Sequence, residues 1–376
     1  MKLFKRNARE KKLGESALTL RLWEFTGSAI LSLVVFILLA AYLLPLSYMF
    51  VTSVKGPAQM ANQASYPLYP SVNPQYNYQG VDYPLMKVPT ADGVKEWAIV
   101  TKRRTYSEFI DPHNPGAGLI HWDGNWYKLE KVYRFSVTLQ AFGDLLKAAR
   151  ISQAMTNTLI VALISEIGVL LSSIAVAYGF SRFRIPGGKW LFFVLISTIL
   201  IPETITLIPT YIAFKKLILW LPTLPFLQFP FSVPWPWLPL ILPHFFSSAI
   251  FVFLLRQNFR SIPRDLDEAA MLDGAGPLRI LTLVILPQSI PVVTTVALLH
   301  FFYIWNELRH ASLYVGLTPG QQQVSSILQN APVLPGVSTD AVLQASALLV
   351  MIVPIVVLFA FQRFFMQDMI VTGLEK

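Results

Sequence analysis

The stretch Arg264-Asp-Leu-Asp-Glu-Ala-Ala-Met-Leu-Asp-Gly-Ala275 is a short charged interruption in an otherwise apolar chain, and apolar sequence resumes by Ile285-Leu-Pro287. Pro263 suits the first turn of a helix, where its missing amide hydrogen has no partner to lose. Asp265, Asp267 and Glu268 follow at the end where the helix macrodipole favours negative charge. Ala269, Ala270, Met271 and Leu272 are strong helix formers. Gly274 supplies the left-handed conformation that ends a helix, and Gly276-Pro277 reinforces the stop. The segment reads as a helix of two to three turns, a sharp turn, and a second helix from about Pro277 into the next apolar run. Leu266, Ala270 and Asp273 fall at i, i+4 and i+7, so one narrow face is small and mildly apolar. So short a helix has little to bury within its own chain and suits a groove on another protein.

The surroundings are those of a membrane protein. With 54% hydrophobic and 14% charged residues in 376 positions, the chain is unlike an ordinary soluble domain, where about 25% are charged. A bilayer crossing takes roughly 20 apolar residues. Six runs qualify: 25–54, 156–180, 190–214, 237–255, 288–304 and 342–361. Backbone amides in lipid must be satisfied within the segment, so each run is expected to be a helix. A basic tail precedes the first, but its apolar stretch is about twice that of a signal peptide, so an uncleaved signal-anchor is expected. Cysteine is absent, which excludes disulfides, thiol metal sites and a cysteine nucleophile. The net charge of +9 sits in membrane-flanking segments and does not mark a nucleic-acid binder.

Those basic residues set an orientation. Lys2, Lys5, Arg6, Arg9, Lys11, Lys12 and Arg21 precede the first span; Arg182, Arg184 and Lys189 lie between spans two and three; Arg256, Arg260, Arg264 and Arg279 lie between four and five. All three sets fall on one side of a six-span arrangement, the cytoplasmic side by the positive-inside rule, with Lys215 and Lys216 a minor exception. Both termini are then cytoplasmic. The expected order is a tail (1–24), the first helix (25–54), an exoplasmic insert with a surface helix (55–150), a five-helix core (151–366) containing the loop 256–287, and a tail (367–376).

Within the insert, Glu96-Trp-Ala-Ile-Val-Thr101 and Asn125-Trp-Tyr-Lys-Leu-Glu-Lys-Val-Tyr-Arg-Phe135 are rich in aromatic and β-branched residues, and His121-Trp-Asp-Gly-Asn125 between them is a turn signal. This predicts a small, mostly β piece, too small for much core of its own. The segment 135–146 reads as a turn into an amphipathic helix. Prolines at 222, 225, 230, 234, 236, 239 and 243, among Trp220, Trp235 and Trp237, predict an irregular interfacial connection. The loop 316–340 is polar, with a short amphipathic piece at 322–330. No internal repeat is present.

The cassette also resembles the EAA loop of ABC-importer permeases, which runs Glu-Ala-Ala, three residues, Gly, then nine or ten residues to an Ile-x-Pro or Leu-Pro end. Glu268-Ala269-Ala270, Gly274, Ile285 and Leu286-Pro287 fit that spacing. The flanks are similar to the carbohydrate branch, the maltose-type second permease, through Asn157-Thr-Leu-Ile-Val-Ala162, Tyr178-Gly-Phe-Ser-Arg-Phe-Arg-Ile-Pro-Gly187, Leu207-Ile-Pro-Thr-Tyr211, Leu254-Leu-Arg-Gln-Asn-Phe-Arg-Ser-Ile-Pro263 and Phe364-Phe-Met-Gln-Asp-Met-Ile-Val-Thr-Gly373. Residues 55–134 have no counterpart in typical members.

The resemblance implies an all-α permease of six transmembrane helices in a bacterial or archaeal cell membrane. Its implied partners are a second, homologous permease subunit, two ATPase subunits holding ATP and Mg, and an extracytoplasmic solute-binding protein that delivers a sugar. Leu266, Glu268, Ala269, Ala270, Leu272, Asp273 and Gly274 would form the coupling helix in the ATPase groove. The chain has no phosphate-binding loop of its own, since Gly187-Gly-Lys189 lies in the wrong surroundings, so it is expected to be a non-catalytic subunit with no cofactor.

Ionisable groups in spans are costly and usually face a bundle interior or a watery path. Glu166 in span two, Glu203 after Pro202 in span three, and Asn306, Glu307, Arg309 and His310 at the outer end of span five are such groups. Glu166, Glu203, Asn306, Glu307 and His310 are the candidate path residues; packing between Glu and Arg is the alternative. The five histidines show no metal-ligand spacing. A permease for a non-sugar solute, or an ion-driven secondary transporter, remains open at this point.

Overall fold

The computed structural model describes residues 2–90, 92–148, 151–220, 235–316, 318, 320–329 and 339–373. It divides into two compact units, Met1–Thr138 and Leu139–Lys376. In the first, helix α1 (Lys2–Ser53) carries an apolar span, Phe25–Ser53, and continues through Pro45. Helix α2 (Pro57–Ala61) opens the insert.

The insert is an antiparallel meander. Strands β2 (Gln75–Tyr78), β3 (Val81–Thr90), β4 (Gly93–Lys102), β5 (Tyr106–Ile110) and β6 (Ile120–Asp123) pair in that order; β1 (Ser71–Val72) pairs with β8 (Arg134–Phe135), and β7 (Glu130–Lys131) joins β3. The β2–β3 turn is two residues, Gln79 and Gly80, both at positive φ, the geometry that matches strand twist. One face buries Met86, Val88, Trp97, Ile99 and Phe109 under Trp122, Trp126 and Leu129; the other buries Leu85, Ala98, Ile110 and Val132. Gln59, 1% exposed, bonds the carbonyls of Pro67 and Tyr69 and the amide of Ser71, pinning the chain entering β1.

Two details differ from the expected insert. It holds a core on both faces of the sheet, because the segment after β6 folds back over it. That segment is also not one continuous strand: Trp126–Lys128 form a 3-10 turn capped by Asn125, whose side chain accepts from the Tyr127 amide, and only the short β7 and β8 follow it. His121–Asp123 belong to β6, and only Gly124, at φ +156, makes the turn.

In the second unit the helices are α3 (Gln140–Ala148), α4 (Ile151–Arg182), α5 (Gly188–Ser197), α6 (Glu203–Trp220), α7 (Leu238–Ile241), α8 (Ala249–Ser261), α9 (Asp265–Leu272), α10 (Pro277–Ile280), α11 (Leu286–Gln288), α12 (Ile290–Asn306), α13 (Arg309–Tyr314), α14 (Val324–Gln329) and α15 (Thr339–Gly373). The amphipathic α3 buries Ala141 and Leu145 and exposes Leu146. Helix α4 is the hub, packing on α7, α8, α12 and α14. Its inward face is small (Ala154, Ala162, Ser165, Gly168, Ser173, Ala177) and its outward face is Leu163, Ile167 and Leu171. Small residues let helix backbones approach closely in a bilayer.

Ile151–Arg182, Leu238–Ser261 and Asp340–Phe364 are further apolar spans, and two bent pairs bring the total to as many as six. The six apolar runs are therefore present, but two of them are broken. Gly188–Leu200 and Glu203–Leu217 meet at 97°, and Pro277–Gln288 and Ile290–Asn306 at 82°. The two prolines of span three act differently: α6 runs on through Pro209, whereas the chain turns sharply at Pro202. Likewise the helix from Pro277 does not enter span five straight. It passes through a π-turn at Leu281–Ile285 and corners at Ser289, between Pro287 and Pro291. Span four holds its own irregularity, a 3-10 turn at Leu242–Phe246 and Ser247 at φ +67. Of the proline-rich connection, residues 221–234 lie outside the described residues.

Gly168 marks the closest contact of α4 with that irregular turn. A Cβ there would sit 2.5 Å from Phe245 Cδ2. Gly168→Ala is therefore expected to destabilise the purified protein by roughly 1–3 kcal/mol through overpacking, read as a lowered melting temperature in detergent. An unchanged melting temperature would mean that the Phe245 turn yields freely.

Candidate functional site: a docking helix and a polar cavity

Helix α9 is built as a separate knuckle. Its first turn carries Asp265, Asp267 and Glu268. Its end is a Schellman cap, in which the amide of Ala275 donates to the Ala270 carbonyl and that of Gly274 to Met271, with Gly274 at φ +80. The helix begins at Asp265, so Pro263 stands just before its cap residue Arg264 rather than in its first turn.

The knuckle is bolted to the end of α4. Arg182 Nε lies 2.8 Å from Asp267 Oδ2, both side chains under 9% exposed. Arg182 also donates to the Ile262 carbonyl, Arg264 to that of Ser181, Arg256 to that of Phe180, and the Tyr178 hydroxyl to that of Pro277. The last carbonyls of α4, which a helix leaves unpaired, are met by cations that also suit its negative end. Away from this anchor, Leu266, Met271, Leu272 and Leu278 are exposed, Leu272 by 90%. A cluster of exposed leucines on a charged helix is what a protein partner covers.

A polar cavity of about 230 Å³ lies where the broken spans meet. It is lined by Glu203, Thr206, Thr210, His244, Tyr303, Glu307, His310 and Gln323, with apolar Pro239, Leu240, Pro243, Ile304 and Ala311. The breaks supply its polar groups: Glu203 opens α6 after Pro202, His244 comes from the unwound part of span four, and Glu307 and His310 follow the end of α12. Non-helical backbone at membrane depth is tolerated where protein or a water-filled cavity surrounds it.

The carboxylates are already partnered. Tyr303 donates to Glu203 at 2.9 Å, Arg309 lies 3.5 Å from Glu203, and His310 Nδ1 is 3.2 Å from Glu307. The His310 amide also donates to Glu307. Ligand atoms of Glu203, Glu307 and His310 fall within 4.8 Å of one another. With Arg309 and Tyr303 on Glu203, this set is a charge-balanced network in its own right.

The pattern described as "Binding-protein-dependent transport system inner membrane component" matches residues 168–371, which span both the knuckle and the cavity. The chain belongs to that family. It is 29% identical over 294 residues, 77% of this chain and 93% of the other, to the osmoprotective compounds uptake permease protein GgtD of Synechocystis sp.. It is 35% identical over 161 residues, 43% of this chain and 53% of the other, to the trehalose/maltose transport system permease protein MalG of Thermococcus litoralis. The fold is like that of a bacterial ABC transporter involved in alginate import, with a TM-score of 0.60 at 18% identity over 90% of this chain and 96% of that one.

Within this permease, Leu266, Glu268, Ala269, Leu272, Asp273 and Gly274 are exposed on the knuckle, whereas Ala270 is half-buried and packs toward the core. Of the residues expected on a path, the cavity gathers Glu203, Glu307 and His310. Glu166 stands outside its lining and reaches it through two histidines. Asn306 is exposed, its amide donating to the Phe302 carbonyl. Sequence reasoning missed His244, His300 and Tyr303, and also the Arg182–Asp267 pair. The signal available for the histidines was their place in apolar runs; their convergence over 56 residues was not readable.

Proposed function

We propose that this permease is one of two homologous membrane subunits of an importer for a sugar or oligosaccharide, driven by ATP hydrolysis in separate subunits. The α9 knuckle sits in an ATPase groove, with Leu266, Glu268, Ala269, Ala270, Leu272, Asp273 and Gly274 as its coupling residues. Closure of the ATPases on ATP moves the knuckle, and Arg182–Asp267 carries that movement to α4. Glu203, Glu307 and His310 line the solute path; Glu166 supports it from behind, and Asn306 borders it. The basic flanks favour a cytoplasmic knuckle, two cytoplasmic termini and an insert outside.

The observation that carries this reading is a capped helix with an exposed outer face, held to its own bundle by the buried Arg182–Asp267 pair and the hydrogen bonds around it. A sugar as solute is supported by the likeness to the trehalose/maltose permease MalG, and an osmoprotective compound by the likeness to GgtD. The test is reconstitution with the partner permease, ATPase and binding protein. ATP turnover is expected to rise when the binding protein is loaded with maltose or another neutral saccharide; turnover indifferent to every loaded solute would refute the reading.

Deleting 57–133 is expected to leave ATPase assembly intact and to weaken contact with the binding protein, as measured by co-purification. Loss of the ATPase instead would contradict this division of labour.

A further inference from the structure

Three groups from distant parts of the permease form a line into the cavity. Glu166 Oε2 on α4 lies 2.8 Å from His300 Nδ1 on α12, and His300 Nε2 lies 3.1 Å from His244 Nδ1. His300 is 1% exposed and the Glu166 side chain 16%. The other carboxylate oxygen, Glu166 Oε1, is buried without a hydrogen-bond partner. Of the three residues only His244 borders the cavity. Phe251 of α8 packs edge-on to His300 at 5.9 Å. The other titratable groups facing the cavity end are Tyr303 on α12, Glu307 beyond it, His310 on α13 and Glu203 on α6.

The chemistry of this line follows from counting protons. A buried carboxylate with a single partner is costly unless that partner neutralises it. Glu166 and His300 therefore hold one proton between them. If the proton is on the ring, both imidazole nitrogens carry hydrogen. If it is on the carboxyl, the ring accepts it at Nδ1 and carries its own hydrogen on Nε2. Either way His300 Nε2–H donates to the lone pair of His244 Nδ1, and a neutral His244 then carries its hydrogen on Nε2. Without that proton His300 Nδ1–H still donates to the ionised Glu166, but the bond between the two histidines reverses, and His244 Nε2 offers a lone pair instead.

We propose that Glu166, His300 and His244 form a one-proton relay that fixes His244 as a hydrogen-bond donor toward the transported solute. Glu166 and His300 are positioning residues, and His244 Nε2–H complements the acceptor oxygens of Glu203 and Glu307. Arg309 and His310 are already paired with those carboxylates, so an anionic solute meets no unpaired cation among the described lining residues. The cavity suits a neutral polyhydroxylated solute, whose oxygens both accept and donate. This rests on reading the cavity as the solute path.

The test is a nitrogen NMR spectrum of the complete importer in lipid nanodiscs, prepared with ¹⁵N-histidine, the His244 signals being identified by their loss in His244→Gln. The expected spectrum shows His244 with a protonated Nε2 and a bare Nδ1. His300→Phe, which keeps a ring in the same apolar space, is expected to turn that single form into a mixture of tautomers. A hydrogen on His244 Nδ1 with a bare Nε2, or no change in His300→Phe, would overturn the relay. Should His300→Phe fail to assemble, the unsubstituted spectrum alone decides. The readout needs no transport, so a failed relay is distinguishable from a failed solute path.

Discussion

Asp267→Ala is expected to give a permease that reaches the membrane but no longer couples solute to ATP turnover. The substitution leaves the Arg182 guanidinium buried without its carboxylate, and breaking a buried pair from one side costs roughly 3–5 kcal/mol. That cost falls on the joint between α4 and α9. The knuckle is expected to detach before the bundle unfolds, because the other ties at the joint are single hydrogen bonds to carbonyls. Solute-stimulated ATP turnover and the melting temperature should therefore both drop. Removing both charges, with Arg182→Met and Asp267→Leu, is expected to recover most of the stability, since a buried pair replaced by apolar groups is often close to neutral. Normal turnover in Asp267→Ala would show that force reaches α4 by another route.

Gly274→Val and Glu268→Lys separate the shape of the knuckle from its charge. A Cβ at Gly274 would meet open space, but the φ of +80 there is a left-handed conformation. An ordinary residue in it costs roughly 1–2 kcal/mol, and a β-branched one is a sterically disfavoured outlier. The Schellman bonds from Gly274 and Ala275 open and the second helix is re-aimed. Glu268 is exposed at the favourable end of the macrodipole, so Glu268→Lys alters helix stability by only about 1 kcal/mol. Both variants are expected to insert normally and to lose most ATPase co-purification or solute-dependent ATP turnover. Normal uptake in both would remove α9 from the coupling role.

The knuckle was legible because its information is local. Its acids, helix formers, Gly274 and Pro277 follow one another within a few turns, and capping chemistry acts over that distance. The insert was half legible. Aromatic and β-branched content marked β4, but whether 125–135 formed one strand depended on Asn125 capping a turn and Trp126 packing on the buried cluster around Trp97, a contact between distant residues.

Apolar run length alone determined that the chain crosses the membrane up to six times, because lipid leaves the backbone no partner outside its own helix. The order of acids, helix formers and Gly274 determined where a short capped helix stands. Only the tertiary structure decided that spans three and five break, and that Glu203, His244 and Glu307 converge on one cavity while Asn306 turns away. Composition cannot tell a kinked proline from a broken span, since the same residue permits either and neighbouring helices choose. Nor can it pair Arg182 with Asp267 or Glu166 with His300. Such pairs are selected by the cost of leaving a charge buried alone, and that cost exists only once packing has removed the water.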